Sequence, residues 1–263
     1  MKPVYIFAPY WMGQVSPARL AVTRHNWRLL TAPLPDQASP TERMGILSQA
    51  LADEIAAVRE AGHLPIAIVG DCTFSIGVLA GLQRDIPALT LVWYDAHGDF
   101  NTHETTPSGF IGGMPLAMLC GRGEQTIRVR AGAEIQPEAN VILTDGRDLD
   151  PGEQEAVAAS ALTHLPNLAD LLAIELPEQP IYIHFDCDVL RLSDLPAVSY
   201  PAEGGPALET VEASLARLVD TGRVVAISVT MWNPEAEADQ VQAEQLVLGL
   251  IDRLAERLQA SGE

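Results

Sequence analysis

The feature that most limits how this chain can fold is its alternation of short apolar runs with longer helical segments. Six runs rich in β-branched residues are typical of strands in a parallel sheet, at 4–8, 64–70, 89–95, 140–145, 180–186 and 223–229. Helical periodicity occupies 41–62, 207–222 and about 235–259. This order predicts a doubly wound α/β layer fold with ligands at the carboxyl ends of the strands. No Gly/Ser-rich linker divides the chain, so we expect one domain spanning residues 1–263.

Charge and hydropathy limit the partners and the location of the chain. It carries 35 acidic and 16 basic residues, a formal net charge of −19. It has no Lys/Arg cluster that could follow a phosphate backbone, so we expect neither nucleic acid nor a membrane surface as a partner. No apolar run approaches the roughly 20 residues that span a bilayer, and the N-terminus lacks the apolar core of a signal peptide. We therefore expect a cytoplasmic protein that acts on a small molecule.

Acidic and histidine-bearing motifs follow three of the predicted strands. These motifs are GDCT (70–73), DAHGD (95–99) and DCD (186–188). In DAHGD and DCD the ligand-type residues recur at every second position, so in extended backbone each of these two sets would project to one side. A lone Asp at a strand end is commonly a helix N-cap or a turn former, but capping does not explain this spacing at two strands. Converging carboxylates would repel one another without a cation, and a pair of divalent ions would relieve that repulsion.

Several motifs together resemble those of the arginase, agmatinase and formimidoylglutamase group, the ureohydrolases. They are DAHGDFNT (95–102), SGFIGGMP (108–115), GRDLDPGE (146–153), FDCDVL (185–190) and WNP (232–234). The resemblance implies a three-layer α/β/α fold with a central, mostly parallel sheet of about eight strands. It also implies a two-metal centre, with manganese as the usual metal, whose bridging hydroxide attacks a guanidine carbon and releases urea. Members of this group commonly form trimers or hexamers, so a homo-oligomer is expected by analogy.

The resemblance assigns roles to individual residues. Its metal ligands are the bridging pair Asp95 and Asp186, then Cys72 and Asp99 on one ion, and His97 and Asp188 on the other. It also makes Asp99 the group that orients the hydroxide and accepts its proton. The positions that match substrate-binding residues are Asn101, Thr106, Ser108, Phe110, Asp150 and Met231.

At the metal centre, the sequence departs from the family pattern at Cys72, which stands where the family has a histidine ligand. A thiolate is softer than imidazole and favours zinc or iron over manganese. The alternative is that Cys72 packs without binding metal.

At the substrate pocket, three further residues depart from the pattern. Phe110 replaces an asparagine that contacts the substrate carboxylate, and Gly112 replaces a histidine thought to carry protons. Met231 replaces the glutamate that would pair with a guanidinium group. Arginine is therefore not the expected substrate. His103 is a candidate replacement proton carrier, with a solvated loop histidine as the alternative.

Three functions remain to be compared. The first is a metal-dependent hydrolase of a C–N bond in a guanidino, amidino or amide substrate, with Phe110 and Met231 making the pocket more apolar. The second is a catalytically inactive relative kept for binding or assembly. The third, a nucleotide-binding module, is excluded because no GxGxxG or GxxxxGK[ST] motif follows a strand. The retained aspartates favour the hydrolase, since an inactive relative with a structural role would not need these metal-binding carboxylates.

Overall fold

A parallel eight-stranded sheet forms the centre of the computed structural model, which describes residues 1–260. The strands in chain order are β1 (Pro3–Ala8), β2 (Tyr10–Trp11), β3 (Gln14–Val15), β4 (Arg28–Leu29), β5 (Leu64–Val69), β6 (Thr90–Asp95), β7 (Val141–Asp145), β8 (Thr163–Leu165), β9 (Ile181–Asp186) and β10 (Val224–Thr230). The main sheet has the order β4-β1-β5-β10-β9-β6-β7-β8, and all of its pairs are parallel. Strands β2 and β3 form a separate antiparallel pair.

Helices cover both faces of the sheet, which confirms the predicted three-layer α/β/α fold. They are α1 (Pro17–Ala21), α2 (Pro40–Glu60), α3 (Ser75–Leu82), α4 (Pro115–Leu119), α5 (Thr126–Ala131), α6 (Pro151–Ala158), α7 (Leu208–Asp220) and α8 (Gln240–Ala260). One apolar core contains buried residues of α2, α3 and α5, and a second contains those of α7 and α8. The two cores lie on opposite faces because alternate side chains of a strand project to opposite sides. The single-domain organisation stays a prediction.

The six strands predicted from apolar runs are all present, whereas the two edge strands of the main sheet and the β2–β3 pair were not predicted. The unpredicted strands β4 and β8 contain only two and three residues. Segments this short give no periodicity, so pairing with a neighbour decides their structure. The last helix begins at Gln240 rather than near 235, and Asp239 Oδ1 accepts the backbone N–H of Gln242 there at 3.0 Å. Within residues 1–260, no helix has the length and apolar character needed to cross a membrane.

Candidate metal centre and substrate cavity

The floor of the candidate site lies where four neighbouring strands of the main sheet end. Strands β5, β10, β9 and β6 are adjacent in that order. Cys72 follows β5, Thr230 ends β10, Asp186 ends β9 and Asp95 ends β6. All four side chains are buried. Residues far apart in sequence therefore meet at one edge of the sheet, as expected for a doubly wound fold.

Two side-chain-to-backbone turns bring further ligand groups over this edge. His97 lies beyond the end of β6, and Asp188 lies in a short 3₁₀ turn beyond β9. Asp95 Oδ1 accepts the backbone N–H of His97 at 2.7 Å, and Asp186 Oδ1 accepts that of Asp188 at 2.8 Å. The expectation that these residues alternate along extended backbone is therefore wrong. Each strand-ending carboxylate instead folds the chain back through a turn.

One cluster of ligand atoms comprises Asp95, His97 and Asp188, all within 4.8 Å of one another. His97 Nδ1 lies 3.3 Å from Asp95 Oδ1 and 3.2 Å from Asp188 Oδ2. Burial alone would lower the pKa of His97, but its hydrogen bonds to Asp188 and Asp95 outweigh burial and raise that pKa to about 12. Burial, with Asp95 nearby, raises the pKa of Asp188 to about 6. Without a metal, the His97 cation would be the positive charge in this cluster.

A second cluster comprises Cys72, Asp95, His184 and Asp186, whose ligand atoms also lie within 4.8 Å of one another. The Cys72 thiol donates to Asp186 Oδ2 at 2.9 Å. His184 was not predicted from the sequence, because it lies inside an apolar strand. Residue spacing could have identified it. His184 precedes Asp186 by two residues in β9, so the two side chains project to the same face of the sheet.

Asp99 occupies a strained position beside these clusters. Its φ of +50° lies in the left-handed region, which is uncommon for a residue other than glycine. Its carboxylate is buried and lines the cavity, and Oδ2 has no hydrogen-bond partner within residues 1–260. Burial and the charge of Asp95 raise the pKa of Asp99 well above its ordinary value. Asp99 belongs to neither cluster, so its role as a metal ligand stays a prediction.

The electrostatics of the floor fit a divalent metal. Burial and the charges of Asp188 and Asp95 raise the pKa of Asp186 well above its ordinary value. Burial and the charge of Asp186 do the same to the Cys72 thiol. Both shifts report carboxylates crowded together away from water, where a cation would stabilise their charged forms. Carboxylate oxygens with imidazole nitrogen and one sulfur are a donor set that divalent transition metals accept.

Above the floor lies a cavity of about 420 Å³. One wall is polar, with Asn101 Nδ2 donating to Asp150 Oδ2 at 3.0 Å. On the exposed loop, the hydroxyls of Thr106 and Ser108 lie 3.3 Å apart and line the same cavity. His103 is exposed and is not among the described residues that line the cavity. A role for His103 as a proton carrier therefore has no structural support.

Another part of the cavity lining is apolar. Phe110, Tyr200 and Met231 line the cavity, and the Phe110 and Tyr200 ring centroids lie 5.2 Å apart. Tyr200 also stacks on Trp11, with centroids 6.4 Å apart. Met231 is buried and has a φ of +61°. Tyr200 was not predicted, because its place at the cavity depends on packing between distant segments.

Two departures from the family pattern, Phe110 and Gly112, are coupled in space. A Cβ atom built on Gly112 would lie 2.3 Å from Cε1 and 2.4 Å from Cζ of Phe110. The Phe110 ring thus occupies the place where a side chain at position 112 would begin. The aromatic ring and the missing proton carrier are coupled, because the ring in this position fills the space that a side chain at residue 112 would need.

Comparison with known proteins identifies the family. A family model described as the Arginase family matches residues 23–255. The chain belongs to the arginase family. An arginase from Bacillus subtilis (strain 168) is 32% identical over 200 residues, covering 71% of this chain and 67% of the relative. An N(omega)-hydroxy-L-arginine amidinohydrolase from Streptomyces lavendulae is 30% identical over 219 residues, covering 80% and 77%.

Solved structures share the fold of this arginase-family member. An arginase from Bacillus cereus superimposes with a TM-score of 0.82 at 22% identity, covering 97% of this chain and 98% of that one. A formimidoylglutamase from Bacillus subtilis gives 0.73 at 14% identity, covering 98% and 87%. Both comparisons support the predicted arginase-like sheet and helical layers.

Proposed function

We propose that the chain is a metal-dependent hydrolase of a C–N bond in a guanidino or amidino substrate, and that arginine is not that substrate. The observation that carries this proposal is the meeting of Asp95, His97, Asp186 and Asp188 beneath a cavity whose lining includes both acidic and apolar residues. When bound, divalent ions would supply the positive charge that activates water and polarises the amidino carbon. Manganese is the first candidate metal by family analogy, with zinc or iron as alternatives because of Cys72.

The protein's own residues support roles in proton transfer and substrate positioning. Asp99 is buried, and its Oδ2 has no hydrogen-bond partner within residues 1–260, which supports a role in accepting a proton at that atom. Asp150, held by Asn101, can accept a hydrogen bond from a substrate amine at the rim. Phe110 and Tyr200 line the same cavity, where their rings would exclude water from part of it.

The apolar wall argues against arginine. A buried guanidinium without a carboxylate partner loses a charge-assisted bond worth about 1.5–3 kcal/mol, and the thioether of Met231 cannot replace it. A hydroxyguanidine or amidine of lower basicity loses less binding energy, because it carries less positive charge for a pocket carboxylate to balance. The relative from Streptomyces lavendulae, whose name describes hydrolysis of a hydroxylated arginine, supports this substrate class.

A substrate panel tests the proposed function. Protein loaded with manganese, zinc or iron is assayed by urea or amine release with arginine, agmatine, guanidinobutyrate, hydroxyarginine and formimidoylglutamate. At least one other compound is expected to exceed arginine in kcat/KM by 10-fold or more. Agmatine is expected to have a lower KM than arginine, because the cavity lining within residues 1–260 has acidic groups but no lysine or arginine to hold an α-carboxylate.

Two outcomes of the panel would contradict the proposal. Arginine turnover at least as fast as that of every other compound would show that Met231 and Phe110 do not set specificity. Absence of turnover with all three metals, in protein that binds them, would favour the catalytically inactive relative retained for binding or assembly.

Metal removal provides a test that needs no substrate. At free metal about 1,000-fold above Kd, binding stabilises the folded state by about 4 kcal/mol. For a chain of this size, we expect a chelator to lower Tm by about 10 °C. Differential scanning calorimetry with and without EDTA measures the shift, and EDTA already saturated with the same metal is the control. An unchanged Tm in metal-loaded protein would argue against a metal centre coupled to folding.

A further inference from the structure

We infer that His184 Nε2 and Cys72 Sγ are ligands of one divalent ion together with Asp95 and Asp186, and that this position selects zinc over manganese. The inference rests on the metal centre of the proposed function and specifies one of its two positions. His184 thereby supplies an imidazole close to the position where Cys72 stands in place of a histidine.

The arrangement of the four groups supports a single ion between them. The ligand atoms of Cys72, Asp95, His184 and Asp186 lie within 4.8 Å of one another, and each side chain is at most 1% exposed. In a tetrahedral zinc site with these ligand types, neighbouring donor atoms lie roughly 3.3–3.8 Å apart. The largest observed separation is therefore at most about 1 Å longer than in such a site.

Hydrogen bonding and stacking hold the His184 ring so that one nitrogen remains available. Nδ1 lies 3.0 Å from Ser228 Oγ, and that oxygen lies 2.8 Å from the Tyr182 hydroxyl. The ring stacks on Trp93 with centroids 3.6 Å apart and planes inclined by 19°. Nε2 is buried and has no hydrogen-bond partner in the part of the chain that is described.

A buried Nε2 without a hydrogen-bond partner among residues 1–260 indicates that a ligand binds there. A buried polar atom without one destabilises the folded state by about 1–3 kcal/mol, so such atoms are uncommon. When Nδ1–H donates to Ser228, Nε2 carries the lone pair, and this is the tautomer that a metal-binding histidine adopts when its other nitrogen is hydrogen-bonded. If the only role of residue 184 were to pack against Trp93, a phenylalanine at this position would serve equally well.

The chemistry of the two clusters then differs. Cys72 and His184 give their cluster a thiolate and an imidazole, which suit zinc, whereas the cluster of Asp95, His97 and Asp188 has two carboxylates and one imidazole, which suit manganese. Asp95 belongs to both clusters and can bridge them. The geometry thus points to two unlike metal positions that share one carboxylate.

Metal competition tests this inference. Full-length apo protein is equilibrated with equimolar zinc and manganese, desalted and analysed for both metals. Wild type is expected to retain about one zinc per chain with manganese as the remaining metal. His184→Phe, which keeps a ring against Trp93, and Cys72→Ser are each expected to weaken zinc binding by more than 100-fold. Ser228→Ala is the matched control, since it removes the hydrogen-bond partner of His184 Nδ1 and of the Tyr182 hydroxyl but no proposed ligand, and it should weaken binding by about 10- to 100-fold at most.

Spectroscopy of the wild-type protein keeps the test independent of whether a variant folds. Zinc-edge X-ray absorption of protein with one equivalent of zinc should contain one sulfur and at least one imidazole in the coordination shell. With cobalt, a thiolate charge-transfer band should be present in wild type and absent in Cys72→Ser.

The outcomes separate this inference from the proposed function. If folded His184→Phe keeps wild-type zinc affinity, or if the zinc shell lacks sulfur, the inference is overturned and the proposed function is not affected. If wild type binds no divalent ion at all, both the inference and the proposed function fail.

Discussion

Replacing Asp95 and Asp186 together with asparagine is expected to abolish binding of divalent ions and to reduce turnover to background. These carboxylates end adjacent strands, are each 1% exposed, and Asp95 is common to both ligand clusters. Removing both charges takes away the main attraction for a cation at the floor of the cavity. Metal analysis after dialysis measures the loss, and the thermal stabilisation that wild type gains from metal should disappear with it.

A control with the same change in charge is available on the surface. Asp36 and Asp53 are exposed and lie outside the cavity lining, so Asp36→Asn with Asp53→Asn should leave metal content and Tm close to wild type. The apo forms of wild type and of the Asp95→Asn, Asp186→Asn variant are compared by circular dichroism, so that loss of binding is separated from loss of folding. Wild-type metal content in that folded variant would refute the assignment of the site.

Restoring the family residues at positions 110 and 112 is expected to raise kcat/KM for arginine by about 100-fold or more. Gly112→His would supply a proton carrier, for which general acid–base catalysis contributes about 10²–10⁴-fold. Phe110→Asn would restore a polar contact and vacate the space that the new side chain needs. The double variant should therefore exceed both single variants, and steady-state kinetics with arginine measures the difference.

The single variants test whether the two positions are coupled. Gly112→Ala forces the Phe110 ring to move. We expect this substitution to lower the free energy of unfolding by about 1 kcal/mol, which is the lower end of the usual cost of overpacking a core. Gly113→Ala is the matched control, because a Cβ atom at that glycine meets nothing within 4 Å. Equal stability of the two alanine variants would show that Phe110 adapts freely. Additive gains in arginine turnover from the two single changes would show that the positions act independently.

The sequence by itself predicted the layers of the fold and the ends of three strands that carry ligand-type residues. Strands buried on both faces appear as apolar runs such as 64–70 and 180–186, and this signal is local. Carboxylates at Asp95 and Asp186 could be recognised because a charged residue at the end of an apolar run needs a partner or water. Edge strands of two or three residues gave no such signal, since pairing alone defines them.

Only the tertiary structure decided which distant residues meet. Cys72 and Asp186 are 114 residues apart yet joined by a hydrogen bond, because strand order places β5, β10 and β9 side by side. His184 resembles a core residue in sequence and becomes a candidate ligand only when its ring is seen beside that pair with one nitrogen unpartnered within residues 1–260. The contact between Phe110 and Gly112 likewise depends on how one loop folds over itself. Local pattern specifies strands and helices, whereas side-chain contacts between segments depend on packing, which no single segment encodes.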